Sequence, residues 1–306
     1  MKMYIYCVLF LIFSLVAVPV LTVHFNIKDK NTDENTVTLY VKDSGKTVKT
    51  YVEKYIEGVV AAEMPAEFNL EALKAQAVAA RTYMYQKKDT SSHLNGADVC
   101  SDFAHCQAYK TDETLKKQWG ANYKKYKSKI SDAVNSTKGL IMEYNGKPIS
   151  AVFHSTSSGK TQNSEDVWGN KVPYLKSVVS DGDYLSPKYK STVVLSKDEV
   201  KQKLNITDDG FSISDIVYSD GESVSEIKIC GKKFSGTQIR TALGLNSACF
   251  DIDAVDGNVK FTVRGYGHGV GMSQYGANYM AKQGSDFKEI LTYYYTGCKV
   301  EKFHKA

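Results

Sequence analysis

The sequence predicts an α+β fold in two lobes around a groove, preceded by a transmembrane helix at the N-terminus. Three observations lead to this prediction. An uncharged apolar stretch opens the chain, and hairpin and helix patterns occur together beyond it. Residues 192–262 alternate short helical patterns with strand-like runs, unlike the segments on either side. About 280 residues follow the apolar stretch, which is enough for one large domain or two smaller ones.

The N-terminal stretch carries no charge from Met3 to Val23, and only Lys2 precedes it. At about 1.5 Å per residue, such a helix spans roughly 30 Å of hydrocarbon. A cleaved signal peptide would have a shorter apolar run that ends at a small-x-small site, and no clear site is present. We therefore expect an uncleaved anchor at residues 1–23, with cleavage left as the alternative. The charge of Lys2 favours an orientation with the rest of the chain outside the cytoplasm.

Polar and charged residues at 24–36 predict a tether, and the first secondary structure follows it. The segment TVTLYVKDSGKTVKTYV predicts a strand pair that turns at Ser44 and Gly45. In VEKYIEGVVAAEM the apolar residues follow helical spacing. Pro65 ends this helix, because proline cannot donate a backbone hydrogen bond and disfavours helical angles at Met64.

A second helix is predicted after Asn69, whose side chain suits an N-cap, and Glu71 lies in its first turn. Its many alanines permit a close approach by a neighbouring element. A loop rich in cysteine and histidine occupies residues 86–110, and residues 112–137 predict a further helix. The segment GLIMEYNGKPISAVFHSTSSG predicts a hairpin that turns at the Asn-Gly pair of residues 145–146.

Residues 192–262 alternate short helical patterns with strand-like runs such as EIKIC and NVKFTV. We predict that they form an inserted second lobe, and that residues 37–191 and 263–306 form the core lobe. After the insertion, GYGHGVGMSQYGANYMAKQG predicts a glycine-rich loop that leads into a helix. A last helix is expected at residues 286–295.

The charge balance favours some partners over others. The chain has 39 lysines and arginines against 34 aspartates and glutamates, a net charge of +5. This mild excess suits work near an anionic surface such as a cell wall, whereas nucleic-acid binding is disfavoured. The lysine-rich segment KKQWGANYKKYKSK is interpreted as a solvated helix face. The 21 tyrosines fit a carbohydrate groove, since phenol rings stack on sugars and donate hydrogen bonds.

Six cysteines are present, and Cys7 lies in the predicted anchor. The five that remain are an odd number, which argues against a complete disulfide framework. The segment HLNGADVCSDFAHC holds two imidazoles and two thiols, which suit a structural tetrahedral zinc ion. The predicted zinc ligands are His93, Cys100, His105 and Cys106. A disulfide between Cys100 and Cys106 is the alternative, and pairing among the other three cysteines is left open.

Glu63 ends the first predicted helix, where the negative partial charge of the helix C-terminus disfavours its carboxylate and raises its pKa. A carboxylic acid that stays protonated near neutral pH can donate a proton to a departing glycosidic oxygen. The neighbouring Glu57, Glu67 and Glu71 are interpreted as exposed helix charges. The alternative for Glu63 is a structural ion pair with Arg81 between two helices.

Two segments combine histidine with serine, HSTSSG and GHGVGMSQ. Neither has the G-x-S-x-G elbow of a hydrolytic serine, so we interpret their side chains as hydrogen-bond partners of sugar hydroxyls and acetamides. The glycines match no dinucleotide or phosphate loop. They would let the backbone approach a strand or the glycan, and a simple turn is the alternative. The predicted substrate-binding residues in these segments are His154, Ser155, Ser157, His268, Ser273 and Gln274.

Four separated stretches together resemble the stage II sporulation protein D family, whose other members include amidase enhancers of cell-wall lysis. They run in order from about residue 51 to about residue 277. The stretches are YIEGVVAAEMPAEFNLEALKAQAVAARTY, CSDFAHCQAY, HSTSSGKTQNSEDVWG with VPYLKSV, and GYGHGVGMSQYGA.

The resemblance implies lytic transglycosylation of peptidoglycan during forespore engulfment. This reaction cleaves the β-1,4 bond between N-acetylmuramic acid and N-acetylglucosamine and leaves a 1,6-anhydro sugar. Glu63 would be the catalytic acid, Arg81 would orient it or bind lactyl or acetamido oxygens, and Tyr144, Tyr174 and Lys176 would line the groove.

The partners implied by the resemblance are stage II sporulation proteins P and M, of which the former is an amidase that strips stem peptides from the glycan. Two alternatives remain open for the function. One is a non-catalytic wall-binding module that enhances a cell-wall amidase, and the other is a zinc-dependent amidase.

Overall fold

The computed structural model describes residues 35–90 and 96–304 and has a mixed α+β fold with several small sheets. This confirms the predicted class. The helices are α1 (Val52–Glu63), α2 (Leu70–Thr90), α3 (Asp112–Trp119), α4 (Tyr123–Ser136), α5 (Ser164–Trp168), α6 (Lys197–Lys203), α7 (Gly236–Leu243), α8 (Gln274–Lys282) and α9 (Phe287–Tyr294). The strands are β1 (Thr36–Val41), β2 (Lys46–Tyr51), β3 (Val99–Cys100), β4 (Leu140–Tyr144), β5 (Lys147–Pro148), β6 (Phe153–His154), β7 (Lys190–Ser196), β8 (Ile213–Tyr218), β9 (Val224–Ile229), β10 (Lys232–Phe234), β11 (Phe250–Val255), β12 (Asn258–Arg264), β13 (Met272–Ser273) and β14 (Lys299–Lys302).

The membrane anchor predicted at residues 1–23 lies outside the described part of the chain, as does most of the tether predicted at residues 24–36. Within residues 35–90 and 96–304, no helix combines the length and the apolar character needed to cross a bilayer.

The first hairpin and the first two helices follow the sequence predictions. β1 and β2 pair antiparallel around a tight turn that closes at a glycine with a φ of +64°. α1 ends at Glu63, since Met64 precedes Pro65 and adopts extended angles. Asn69 caps α2, because its Oδ1 accepts the backbone N–H of Glu71 at 3.0 Å.

α2 lies at the centre of a main core that holds the buried side chains of most elements. It packs against α1, α4, α8, α9 and β4. Small side chains along α2 let these elements approach closely, as its alanine content predicts. The alanines of α2 with no exposed surface are Ala72, Ala75, Ala77, Ala79 and Ala80.

The helix predicted over residues 112–137 is interrupted in the structure. α3 ends at Trp119, a short 3-10 turn spans Gly120–Asn122, and α4 begins at Tyr123. Gly120 has a φ of +49°, which a right-handed helix does not contain. The hairpin predicted next is confirmed. β4 and β5 pair antiparallel, and both turn residues, Asn145 and Gly146, have positive φ, as a type I′ turn requires.

A second core is formed by residues 193–263. Two three-stranded sheets, in the orders β11-β12-β7 and β10-β9-β8, pack with α6 and α7 around it. The rings of Phe250 and Phe261 meet edge to face at its centre, with centroids 5.8 Å apart. This core nearly coincides with the predicted inserted lobe of residues 192–262, but it extends to Val263, and its first strand already begins at Lys190.

The glycine-rich loop of residues 265–271 runs beside residues 152–162. Isolated bridges join the two segments, and β13 then pairs parallel to β6. Gly267 has a φ of +123°, and a Cβ there would lie 2.8 Å from the Cβ of His154. A Cβ on Gly271 would lie 2.2 Å from the carbonyl oxygen of Val152. These close approaches confirm that the glycines let one backbone lie against another.

Candidate functional site

Glu63 lies at the C-terminal end of α1 with its carboxyl group largely withdrawn from solvent. One carboxylate oxygen accepts the backbone N–H of Ala108 at 2.8 Å, and the side-chain amide of Gln274 donates to the same group. Burial raises the pKa of Glu63 above its ordinary value of 4.5, and this effect outweighs the two hydrogen bonds and the charge of Lys110, which lower it. The acid therefore keeps its proton to a higher pH than an exposed glutamate.

The loop that carries Ala108 also carries the predicted metal ligands. Nδ1 of His105 lies 3.5 Å from Sγ of Cys100 and 3.5 Å from Sγ of Cys106. Zinc with bonds of about 2.3 Å to sulfur and about 2.0 Å to nitrogen would place a tetrahedral S and N pair about 3.5 Å apart. The three side chains therefore have the spacing of zinc ligands. No disulfide joins the five cysteines in the described residues, and His93 lies outside them.

Tyr55 lies on α1, eight residues before Glu63, and was predicted only as an apolar helix position. It is fully buried, and its ring stacks on Tyr109 with centroids 5.7 Å apart. Burial raises its pKa well above 10, with further contributions from Cys106 and Glu63. Within the described residues its hydroxyl has no hydrogen-bond partner. A hydroxyl in an apolar stripe gives no sequence signal, so sequence reasoning missed it.

Arg81 lies away from this acid, which corrects the expectation that it orients Glu63 or binds substrate oxygens. Its guanidinium has no exposed surface. Nε lies 3.1 Å and Nη2 lies 2.5 Å from the two carboxylate oxygens of Glu53, and Nη1 donates to the carbonyl of Leu140 at 3.1 Å. The structural ion pair considered for Arg81 exists, but its partner is Glu53 in the first turn of α1. Arg81 thus fixes the start of the helix that ends at Glu63.

Two of the predicted substrate-binding serines contact a buried aspartate instead. Ser157 and Ser273 both donate their hydroxyl hydrogens to the carboxylate of Asp183. Thr156 donates to the same carboxylate at 3.0 Å. Burial raises the pKa of Asp183, while these hydroxyls lower it. Ser155 is half-buried, and its backbone carbonyl accepts the N–H of Tyr275, the second residue of α8, at 3.1 Å. The serines therefore join the elements around the site.

His154 is buried and His268 is half-buried, and both rings are electrically neutral. The Nδ1–H of His154 donates to the carbonyl of Val270 at 3.1 Å, and Nδ1 of His268 accepts the N–H of Val270 at 3.0 Å. Burial lowers the pKa of His154 to about 4 and that of His268 to about 3. Their ring centroids are 5.7 Å apart. Within the described residues, Nε2 of His154 has no hydrogen-bond partner.

Gln274 is the predicted substrate-binding residue that contacts Glu63, and it is buried at the start of α8. Tyr144 and Tyr174 instead pack on each other at 5.4 Å, where the Tyr174 hydroxyl accepts the N–H of Ser150. Lys176 is exposed on the following segment. Across the described residues, no hydrogen bond or ion pair joins Tyr144, Tyr174 or Lys176 to Glu63.

The neighbouring glutamates differ from Glu63 in their environment. Glu57, predicted as exposed, is instead buried and bound by Lys127 at 2.7 Å and Ser131 at 2.5 Å. Glu67 is exposed and accepts the hydroxyl of Tyr126. The pKa of Glu57 and that of Glu67 are both lowered, the first despite burial and the second by the Tyr126 hydrogen bond. Among these carboxyl groups, Glu63 alone has the raised pKa of a proton donor.

A cavity of about 220 Å³ lies between the segment after Pro65 and helix α8, and Glu63 is not among the residues that line it. Three aromatic side chains and an amide line it. Tyr275 follows Gln274 directly, and its ring meets Phe68 edge to face at 4.9 Å. The lining residues are Glu67, Phe68, Gly182, Leu185, Tyr275, Asn278, Tyr279 and Lys282. Aromatic faces with polar groups between them suit a sugar ring.

Comparison with known proteins shows similarity over most of the chain. Residues 40–144 match the family model described as Stage II sporulation protein. The chain is 46% identical over 255 residues to Stage II sporulation protein D of Bacillus subtilis (strain 168), which covers 82% of this chain and 74% of that protein. It is 44% identical over 255 residues to Stage II sporulation protein D of Bacillus amyloliquefaciens, with the same shares of 82% and 74%. It is 29% identical over 307 residues to the Amidase enhancer of Bacillus subtilis (strain 168), with shares of 81% of this chain and 40% of that protein.

Proposed function

Because this chain belongs to the stage II sporulation protein D family, we propose that it cuts the glycan strands of peptidoglycan during sporulation as a lytic transglycosylase. The bond cleaved is the β-1,4 bond after N-acetylmuramic acid, and the product is a 1,6-anhydro-muramyl end. The observation that carries the proposal is the partly buried carboxyl group of Glu63, whose raised pKa suits a proton donor.

The reaction needs only this one carboxyl group. Glu63 donates its proton to the bridging oxygen as the bond from that oxygen to C1 of the muramyl sugar breaks. The resulting carboxylate takes the proton of the C6 hydroxyl of the same sugar, whose oxygen forms the new bond to C1. Glu63 ends the cycle protonated, as it began, and no water is consumed. A hydrolase would instead use a second carboxylate to activate water or attack the sugar.

The surroundings of Glu63 support both halves of this cycle. Burial favours the neutral acid before proton transfer. The N–H of Ala108 and the amide of Gln274 stabilise the carboxylate that forms afterwards. The aromatic-lined cavity beyond Pro65 would hold a sugar ring of the strand. We further propose that Tyr144, Tyr174 and Lys176 contact the strand at a greater distance from the cleaved bond.

We propose that structural zinc is bound by Cys100, His105 and Cys106, with His93 as the fourth ligand. The spacing of the three described side chains supports this assignment. Bound zinc would close the loop covalently at a point just before Ala108, and the loop would then hold its N–H against Glu63. With four protein ligands the site has no open position for a substrate or an activated water.

We propose that the protein acts in forespore engulfment from the outer face of the cell membrane, held there by residues 1–23. Its proposed partners are stage II sporulation proteins P and M. The first of these would supply glycan from which stem peptides have been removed. The mild net positive charge of the chain supports work near an anionic wall.

A second candidate function is enhancement of an amidase without cleavage of the glycan, which the similarity to the Amidase enhancer favours. Digestion of purified glycan strands with mass analysis of the products separates the candidates. The proposed function predicts anhydro-muramyl ends that Glu63→Gln abolishes and that Glu113→Gln, a control at an exposed residue of α3, preserves. Products with reducing ends would indicate a hydrolase, and released stem peptides would indicate an amidase. Binding to the strands without cleavage would indicate an amidase enhancer.

A further inference from the structure

A second, smaller cavity lies where the main core meets the second core. Its volume is about 20 Å³, which is room for one or two water molecules or for one carboxylate group. Residues on both sides line it. Ser158 and Lys160 belong to the segment 152–162 beside the main core, whereas Arg240, Ser247 and Arg264 lie on or next to the elements around the second core. The cavity also touches the glycine-rich loop that leads to Gln274 and so to Glu63.

The charges around this cavity are all positive. Lys160, Arg240 and Arg264 line it, and no aspartate or glutamate is among the described residues that do so. Arg264 is balanced by Asp251, to which it donates two hydrogen bonds. Lys160 is exposed at the edge and well hydrated.

Arg240 is the cation that this arrangement leaves without a counter-ion. It is half-buried, and within the described part of the chain its guanidinium has no ion-pair or hydrogen-bond partner. The neighbours that favour its charge are the phenol of Tyr266 and the thiol of Cys249, not carboxylates. A guanidinium always carries its charge in proteins. A partly desolvated charge without a partner is costly, and an anion from outside would remove that cost.

The shape of the pocket fits an oxyanion. Thr237 and Arg240 are three residues apart on α7 and therefore lie on the same face of that helix. Both residues line the cavity, which gives it one hydroxyl-bearing and one guanidinium-bearing side chain from the same helix face. His268 lines the cavity as well but is neutral, because burial lowers its pKa to about 3. A guanidinium fork binds a carboxylate through two parallel hydrogen bonds.

We propose that the Arg240 pocket binds the lactyl carboxylate of N-acetylmuramic acid, and this rests on the proposed function. The lactyl group is a free carboxylate only where no stem peptide is attached, since the peptide is joined to it as an uncharged amide. The pocket has room for a carboxylate and not for a peptide chain. It would thus select peptide-free strands, a task that Arg81 cannot perform from its buried pair with Glu53.

The test uses the purified full-length protein on two forms of one glycan. Peptide-free strands carry the lactyl carboxylate, and the same strands converted to N-methylamides carry no charge there. We expect kcat/KM of the wild type to be at least about tenfold higher on the carboxylate form. Arg240→Gln should cleave both forms with the lower kcat/KM that the wild type has on the amide form. Arg240→Lys should keep an intermediate preference for the carboxylate form, and the exposed control Lys203→Gln should keep the full preference of the wild type. A preference that survives Arg240→Gln, or a wild type with none, would overturn the proposal.

A binding measurement keeps this proposal separate from the proposed function. N-acetylmuramic acid and its N-methylamide are titrated into the protein and followed through the side-chain NMR signals of its arginines. The acid should bind with at least about tenfold higher affinity than the amide, and Arg240→Gln should abolish the difference. If this holds while no strand is cleaved, the pocket stands and the transglycosylase fails. If cleavage occurs but acid and amide bind alike, the pocket fails alone.

Discussion

The buried pair of Arg81 and Glu53 offers a test of what holds the catalytic helix in place. In Glu53→Gln, the charge that Arg81 faces at 2.5 Å is removed, and the carbonyl of Leu140 at 3.1 Å remains as its other close acceptor. Breaking a buried ion pair from one side costs about 3–5 kcal/mol. Glu53 retains 16% side-chain exposure, and glutamine still accepts one hydrogen bond. We therefore expect a loss near the lower limit, about 3 kcal/mol of unfolding free energy.

The assay is urea unfolding followed by tryptophan fluorescence, with Glu53→Gln, Arg81→Gln and the double variant measured together. Each single variant should lose about 3 kcal/mol, and the double variant should lose clearly less than their sum, because the two side chains interact directly. Lys74→Gln is the matched control. Its pair with Glu71 is partly exposed, so it should lose less than about 1 kcal/mol.

Glycan cleavage by the same variants decides between a structural and a catalytic role for Arg81. Glu53 and Glu63 are ten residues apart on α1, or about 15 Å along the helix. Below the unfolding transition, Glu53→Gln should cleave within about threefold of the wild type per folded molecule. If Arg81→Gln keeps its stability and still loses cleavage, the reasoning is refuted, and Arg81 must be assigned to the substrate.

Three further predictions concern the surroundings of Glu63. Burial raises the pKa of Glu63 in the folded protein above 4.5. The neutral acid therefore stabilises the fold at pH values below the unfolded-state pKa of 4.5, and this contribution is lost as the pH rises through the folded-state pKa. Denaturant unfolding between pH 4 and pH 8 should accordingly show that Glu63→Gln gains stability relative to the wild type as the pH rises. Asp183→Asn should lower the unfolding free energy by about 1–3 kcal/mol, because buried hydroxyls lose a charged acceptor, whereas the exposed Asp181→Asn should leave it unchanged. Cys106→Ser should lower the zinc content, which we expect to be about one ion per chain in the wild type. Hydrogen exchange of the Ala108 amide, followed by mass spectrometry, should become about tenfold faster or more in this variant. A wild type without zinc, or an unchanged exchange rate, would contradict the assignment.

Features set by neighbouring residues could be predicted from the sequence. The end of α1 at Pro65, the cap at Asn69 and the Asn145-Gly146 turn each depend on the conformational limits of one or two residues. The break at Gly120 was missed, since a single glycine is compatible with a continuing helix until packing selects a positive φ.

Features that depend on how distant elements cross could not be predicted. The partner of Arg81 is set by the packing of α1 on α2, and nothing local distinguishes Glu53 from Glu63. Asp183 is 26 residues from Ser157 and 90 residues from Ser273 along the chain, and no spacing pattern indicates that the three meet. The unpaired charge of Arg240 likewise exists only because the second core lies against the glycine-rich loop.

The most direct test of the central role of Glu63 is digestion of peptide-free glycan in water enriched in ¹⁸O, with mass analysis of the new ends. The wild type and the exposed control Glu113→Gln should form anhydro-muramyl ends that contain no ¹⁸O, because the C6 oxygen of the sugar attacks C1. Glu63→Gln should form none. Ends that incorporate ¹⁸O, or anhydro ends formed equally by Glu63→Gln, would contradict the account.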